Sequence, residues 1–195
     1  IMNVLYAGYE NPMSVSVPGV ATNQLRVSMT GGSLLPKGDG KYIAKPTEVG
    51  GQAVITVSAE NEGRIQEMGK FNFRVRKLPD PTAFIAFTDA NGAENHFRGG
   101  SLSKQVLMGA PGIGAAIDDG LLNIAFRVQS FETVFYDAMG NAVPYKSQGA
   151  DFSDQQKGQM RTLSRNKRFY ITNIHATGPD GIERTLSGAM EVIIK

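Results

Sequence analysis

A mainly β fold in two tandem modules is predicted by three features of the sequence. Apolar and polar residues alternate through most of the short hydrophobic runs, the period of a half-buried strand. The 195 residues include 23 glycines and 9 prolines, many for a helical protein and well suited to frequent turns. Lys77-Leu78-Pro79-Asp80-Pro81 then sets two prolines close together, which removes two amide donors and stops a strand from running through. This segment separates residues 1–79, read as an immunoglobulin-like β-sandwich, from residues 80–195, read as a β-rich domain with one or two short helices. A bend within one domain is the alternative at this junction.

The first module opens with a short apolar strand from Asn3, a Glu10-Asn11-Pro12 turn and a second strand. In that second strand Met13, Val15 and Val17 alternate with Ser14 and Ser16. Pro18-Gly19 fits the centre of a type II turn, where proline presets φ and glycine takes φ > 0. Leu25, Val27 and Met29 alternate with Gln24, Arg26 and Ser28; Ala53, Ile55 and Val57 alternate with Gln52, Thr56 and Ser58. Phe71, Phe73 and Val75 face one way, Asn72, Arg74 and Arg76 the other. Glu60-Asn61-Glu62-Gly63 reads as a hairpin turn with Gly63 at φ > 0. About six or seven such strands suit an immunoglobulin-like sandwich, although no tryptophan or cysteine pair marks an antibody-type core.

In the second module Thr82–Phe87 is apolar on both faces, as in a central strand. Asn91-Gly92 is the strongest two-residue hairpin signal of the chain. Asn123–Tyr136 supplies one long strand or two with a bulge, followed by a turn at Gly140-Asn141. A helix is expected near 153–164: Ser153 and Gln156 have capping-box spacing and Asp154 suits the positive helix end. Gly158 inside it costs about 1 kcal/mol relative to alanine. Phe169–Ala176, a Pro179-Asp180-Gly181 turn and Ser187–Ile194 read as a terminal hairpin. Gly-Gly-Ser-Leu occurs at 31–34 and 99–102, but the following residues diverge at once, so it is not read as a repeat.

Net charge is +2, from 20 basic and 18 acidic residues, which is far from the imbalance of a nucleic-acid binder. No apolar run reaches the roughly 20 residues needed to span a bilayer, so direct membrane insertion is not expected. No signal peptide is evident, and Ile1 in place of an initiator Met is expected of an excised or processed fragment. The absence of cysteine excludes disulfides and thiolate chemistry without assigning a compartment.

Nothing in the chain has the pattern of a catalytic or cofactor site. His96 and His175 are far apart and each suits a structural or surface place. Neither zinc-ligand spacing nor a Gly-x-Ser-x-Gly elbow occurs, so no metal site or nucleophile is expected. Gly109-Ala110-Pro111-Gly112-Ile113-Gly114 lacks the Gly-Lys-Ser/Thr ending that a phosphate loop needs, and reads as a flexible β-connection. Asp118-Asp119-Gly120 reads as a turn, without the calcium-loop pattern. The one notable charge cluster is Lys157, Arg161, Arg165, Lys167 and Arg168. Lys157 and Arg161 share a helix face at i, i+4, and Phe169 and Tyr170 are the only aromatics beside the cluster. Elsewhere the charge is even, with 11 basic and 11 acidic residues over 81–195. A solvated face is the ordinary reading of such a cluster; a partner-docking surface is the functional one.

The opening run Asn3-Val4-Leu5-Tyr6-Ala7-Gly8-Tyr9-Glu10-Asn11-Pro12-Met13-Ser14-Val15-Ser16-Val17-Pro18-Gly19-Val20, with Gly31-Gly32-Ser33 and Gly40-Lys41-Tyr42, resembles the PorM/GldM family of type IX secretion and gliding-motility proteins. The resemblance covers nearly the whole chain, as two tandem C-terminal modules. It implies a periplasmic, non-catalytic stalk element of a homodimer, anchored in the inner membrane by a segment outside this chain. It further implies an inner-membrane motor partner of the PorL/GldL type and distal docking on an outer-membrane-associated ring of PorK/PorN-type proteins. No cofactor and no nucleic-acid partner is implied. The alternative is an immunoglobulin-like surface adhesin or carbohydrate-binding module, against which stand the lack of tryptophan and the 8% aromatic content.

Overall fold

The computed structural model describes residues 3–195; Ile1 and Met2, on which the fragment expectation partly rests, lie outside the described residues. Two compact units form, residues 1–78 with 179–181, and residues 79–178 with 182–195.

The first unit is a seven-stranded sandwich. Strands β1 (Asn3–Tyr6), β3 (Leu25–Thr30), β6 (Gln52–Asn61) and β7 (Arg64–Arg76) make a four-stranded sheet in the order β1-β7-β6-β3. Strands β2 (Asn11–Ser14), β4 (Gly32–Gly38) and β5 (Lys41–Pro46) make the other, in the order β2-β5-β4. This division is that of an immunoglobulin-like sandwich whose first strand joins the sheet of the third, sixth and seventh, where it pairs parallel with β7. Period-2 alternation builds the core directly. Leu5, Ala53 and Val75 of one sheet meet Ala44 of the other, with Met13, Leu34 and Phe73 packed around them. A second cluster joins Leu25, Ile55 and Val57 to Met13, Val15 and Val17. Pro18-Gly19 turns as expected, with Gly19 at φ 77° and the Val20 amide donating to the Val17 carbonyl at 3.1 Å.

Two local expectations are corrected here. The first reversal lies at Ala7–Tyr9, not at Glu10-Asn11-Pro12, and Asn11 and Pro12 already belong to β2. Asn11 is buried and its amide ties the turn to β5, a role that a turn-residue reading misses. Phe71 shares a face with Phe73 and Val75 but is 49% exposed, because β1 pairs with β7 only over residues 73–76.

The second unit holds one nine-stranded sheet. Its strands are β8 (Thr82–Thr88), β9 (Glu94–Phe97), β10 (Gly100–Leu102), β11 (Gly114–Asp118), β12 (Asn123–Tyr136), β13 (Ala142–Lys146), β14 (Arg168–Thr177), β15 (Glu183–Thr185) and β16 (Met190–Ile194). The main path runs β10-β16-β14-β12-β11-β8-β9, with β13 paired to β12 and β15 to β14. The long strand β12 is the spine, kinked by register shifts opposite β14 near Val128 and Ser130. Phe135 stacks on Phe169 of β14 at 4.8 Å between ring centroids, and Phe131 meets Phe152 edge-on at 5.6 Å. The terminal hairpin is interrupted: β15 and β16 both pair with β14, and the Leu186 amide donates to the Ile174 carbonyl between them.

Two helices complete the unit, α1 (Lys104–Gly109) and α2 (Asp154–Thr162). Ser153 and Gln156 form a full capping box, and Gln156, completely buried, also donates to the Tyr145 carbonyl of β13 at 2.9 Å. The hairpin after β8 departs from expectation. Asn91-Gly92 does not stand alone as a two-residue turn; the loop closes from the Asp89 amide to the Ala93 carbonyl, with only Gly92 at positive φ. Asp137-Ala138-Met139-Gly140-Asn141 repeats that geometry bond for bond. The two Gly-Gly-Ser-Leu words enter unlike strands, β4 pairing antiparallel and β10 parallel.

Candidate functional site

The basic cluster is built on α2 and the segment that follows it. Lys157 and Arg161 lie one helical turn apart, with Arg161 in the last turn, where positive charge complements the helix dipole. Lys104 of α1 adds a cation from outside the cluster. Its Nζ donates to the carbonyls of Arg161 at 2.6 Å and Leu163 at 2.8 Å, satisfying carbonyls that the helix end leaves open. Beyond α2 the chain turns through Asn166 at φ 69°, and the Asn166 amide and Lys167 carbonyl both bond to Ile194 of β16. Lys167 and Arg168 are thereby held at the start of β14. They line a shallow cleft with Tyr136, Asp137, Thr162 and Leu163, whereas Lys157, Arg161 and Arg165 lie outside it.

Charge in the cleft is mixed. Arg168 pairs with Glu191 at 3.3 Å, and the Tyr170 hydroxyl donates to the same carboxylate at 2.9 Å. That hydrogen bond to Glu191 pushes the Tyr170 phenol up. Asp137 is held ionised: the Asn141 amide, first among several donors, lowers its carboxyl below the ordinary value. Arg161, Arg165 and Lys167 are exposed. Such a surface offers cations at its rim and a paired acid beneath, which suits a polar protein surface better than a deep anion pocket. Sequence reasoning finds the five basic residues from their proximity; Lys104, Asp137 and Glu191 arrive from distant strands and helices and carry no local signal.

The other groups singled out have plain structural roles. The His96 ring stacks on Phe84 at 3.7 Å and lies 3.3 Å from Glu94, while His175 Nδ1 is 2.9 Å from the Thr185 hydroxyl. Asp119 accepts from the amides of Leu121 and Leu122 and closes the turn into β12; the Leu122 bond chiefly lowers its pKa. The 109–114 segment is not the flexible connection expected. Ala110, Gly112 and Ile113 are buried, and the segment exchanges backbone hydrogen bonds with Ala150 and Phe152. A Cβ on Gly112 would run into the Ala150 carbonyl oxygen, so glycine is required there for close approach rather than for motion. Among the described residues, no group of three or more His, Cys, Asp and Glu side chains is placed to hold a metal ion. Nor is any described helix long and apolar enough to cross a membrane.

Comparison with known families agrees in order and extent with this two-unit chain. The GldM third domain matches residues 1–76, and the GldM C-terminal domain matches residues 79–195. No curated protein is similar enough to count as a match. Two successive domains of one family thus account for all but the junction, and the chain belongs to the GldM family of gliding-motility and type IX secretion proteins.

Proposed function

We propose that this chain is the distal, periplasmic end of a type IX secretion motor stalk, a non-catalytic element that passes motion from the inner membrane to an outer-membrane-associated ring. The observation that carries the reading is the tandem match to the third and C-terminal domains of GldM, in that order, over residues 1–76 and 79–195. In this reading an anchor and a PorL/GldL-type motor partner act through a region outside the chain, and the stalk is a homodimer. PorK/PorN-type ring proteins are the distal partners. Extended strands suit the task, since many backbone hydrogen bonds in parallel resist shear along a sheet.

The docking surface is assigned to Lys157, Arg161, Arg165, Lys167 and Arg168. Arg161, Arg165 and Lys167 are exposed, and no ion pair of theirs with an acidic side chain is found among the described residues. Arg168 is the exception, being shared with Glu191. Rim charges of this kind govern association rate and its salt dependence. The test is the double reversal Arg161→Glu with Arg165→Glu. Ring-protein binding weakens and its salt dependence flattens while the unfolding transition stays in place; unchanged affinity removes the assignment.

A further inference from the structure

The first unit carries a second recognition surface, on the side of the sandwich where β2 and β7 are both edges. β2 ends the three-stranded sheet, and β7 has β1 beside it only at residues 73–76. Along residues 64–72, β7 is paired on one side alone, with β6. By strand geometry, alternate N–H and C=O groups of that stretch point away from β6, as in any strand with one neighbour. Between the two edges runs an apolar groove of about 370 Å³, lined among others by Met13, Val15, Val17, Ile55, Met68 and Phe71. Met68 is 45% and Phe71 49% exposed, so two large apolar side chains stand at the mouth. Met68 is also the extra residue of a bulge, where the β6 register shifts between Val57 and Ser58.

Open backbone groups beside an apolar groove are recognised by an extended strand, whose main chain pairs with the edge while alternate side chains enter the groove. Charge narrows the occupant. Strand β7 and its continuation carry Arg64, Lys70, Arg74, Arg76 and Lys77 against Glu67 alone, which itself lies 3.7 Å from Lys70. A second copy pairing through the same edge would set these cations against one another, a destabilising cross-strand arrangement. We propose that an extended segment of another protein, with apolar residues alternating with acidic ones, adds as a strand to β7 along residues 64–72 and fills the Met13–Phe71 groove.

The test uses the whole chain and a synthetic nine-residue peptide of valine alternating with glutamate. Two control peptides replace glutamate by lysine or carry N-methyl groups at alternate amides. Hydrogen exchange locates the contact and titration gives affinity. The expected result is saturable binding of the glutamate peptide, with amides of 64–72 slowed, and binding about tenfold or more weaker for both controls. Phe71→Asp, at a half-exposed position, leaves the fold intact and loses the binding by a similar factor. Three results overturn the proposal: no binding to the folded chain, equal binding of the lysine peptide, or slowing of 64–72 that rises with protein concentration without peptide.

Discussion

Asn11 and Tyr6 hydrogen-bond in both directions: the Tyr6 amide donates to Asn11 Oδ1 at 3.0 Å, and Asn11 Nδ2 donates to the Tyr6 carbonyl at 2.9 Å. The same Nδ2 reaches the carbonyls of Tyr9 and Ala44, both at 3.0 Å, so one buried side chain closes the turn after β1 and joins β2 to β5. Asn11→Ala therefore leaves buried backbone groups unpaired and lowers unfolding stability by about 1–3 kcal/mol. Asn11→Asp costs more at neutral pH, since it sets a carboxylate against three carbonyls. Urea unfolding measures both; a loss within about 0.5 kcal/mol, ordinary for a surface site, contradicts the assigned role.

Three exposed turn carboxylates predict a specific acid sensitivity. Asp89, Asp119 and Asp137 all have pKa values below the ordinary 3.8, chiefly through Asn95, the Leu122 amide and the Asn141 amide respectively. A depressed folded value gives stability that is complete above the unfolded value and is lost as pH falls through the folded one. Melting temperature should thus decline below about pH 4. The triple variant to Asn, which keeps the acceptor oxygen, should show a flatter decline. An identical slope in both proteins removes the turns as the cause.

Two glycines of the second unit should respond in opposite directions. Gly158 lies inside α2 with open space where a Cβ would stand, so Gly158→Ala stabilises by about 1 kcal/mol. Gly112→Ala collides with backbone at Ala150 and Asp151 and destabilises by about 1–3 kcal/mol. Chemical unfolding of the pair decides it, and equal signs contradict the packing described.

The β6–β7 hairpin carries a non-glycine residue in left-handed conformation. Glu62 at φ 53° and Gly63 at φ 80° form the two central positions of a type I′ turn between Asn61 and Arg64. Glu62→Asn should stabilise the chain by roughly 0.5–1 kcal/mol, because asparagine tolerates that conformation better. A fall in melting temperature contradicts it.

The readable parts of this fold are those written in local chemistry. Alternation at Met13–Val17, Leu25–Met29 and Ala53–Val57 becomes core and surface faces directly, and the Ser153–Gln156 spacing becomes a capping box. Local signals mislead where tertiary context competes. Asn91-Gly92 has the stronger two-residue hairpin signal, yet Asp89 captures the amides of Asn91 and Ala93 and makes a longer loop, while Glu62-Gly63 makes the two-residue turn. Asn11 reads as a turn residue because its burial depends on β5, thirty-three positions away. In the candidate site the basic residues are legible by spacing, but the Lys104 cap and the Glu191 partner come from pairing that no local pattern encodes. Exposure of Phe71 follows from how far β1 extends along β7, which alternation cannot reveal.

The central claim is tested most directly by affinity capture from a solubilised envelope extract of a type IX-secreting bacterium, with this chain as bait and mass spectrometry of what is retained. Retention of the PorK/PorN-type ring proteins, reduced for the Arg161→Glu, Arg165→Glu bait, is the predicted result. Failure of the folded bait to retain them, or retention of a glycan-bearing partner in their place, contradicts the distal-docking account.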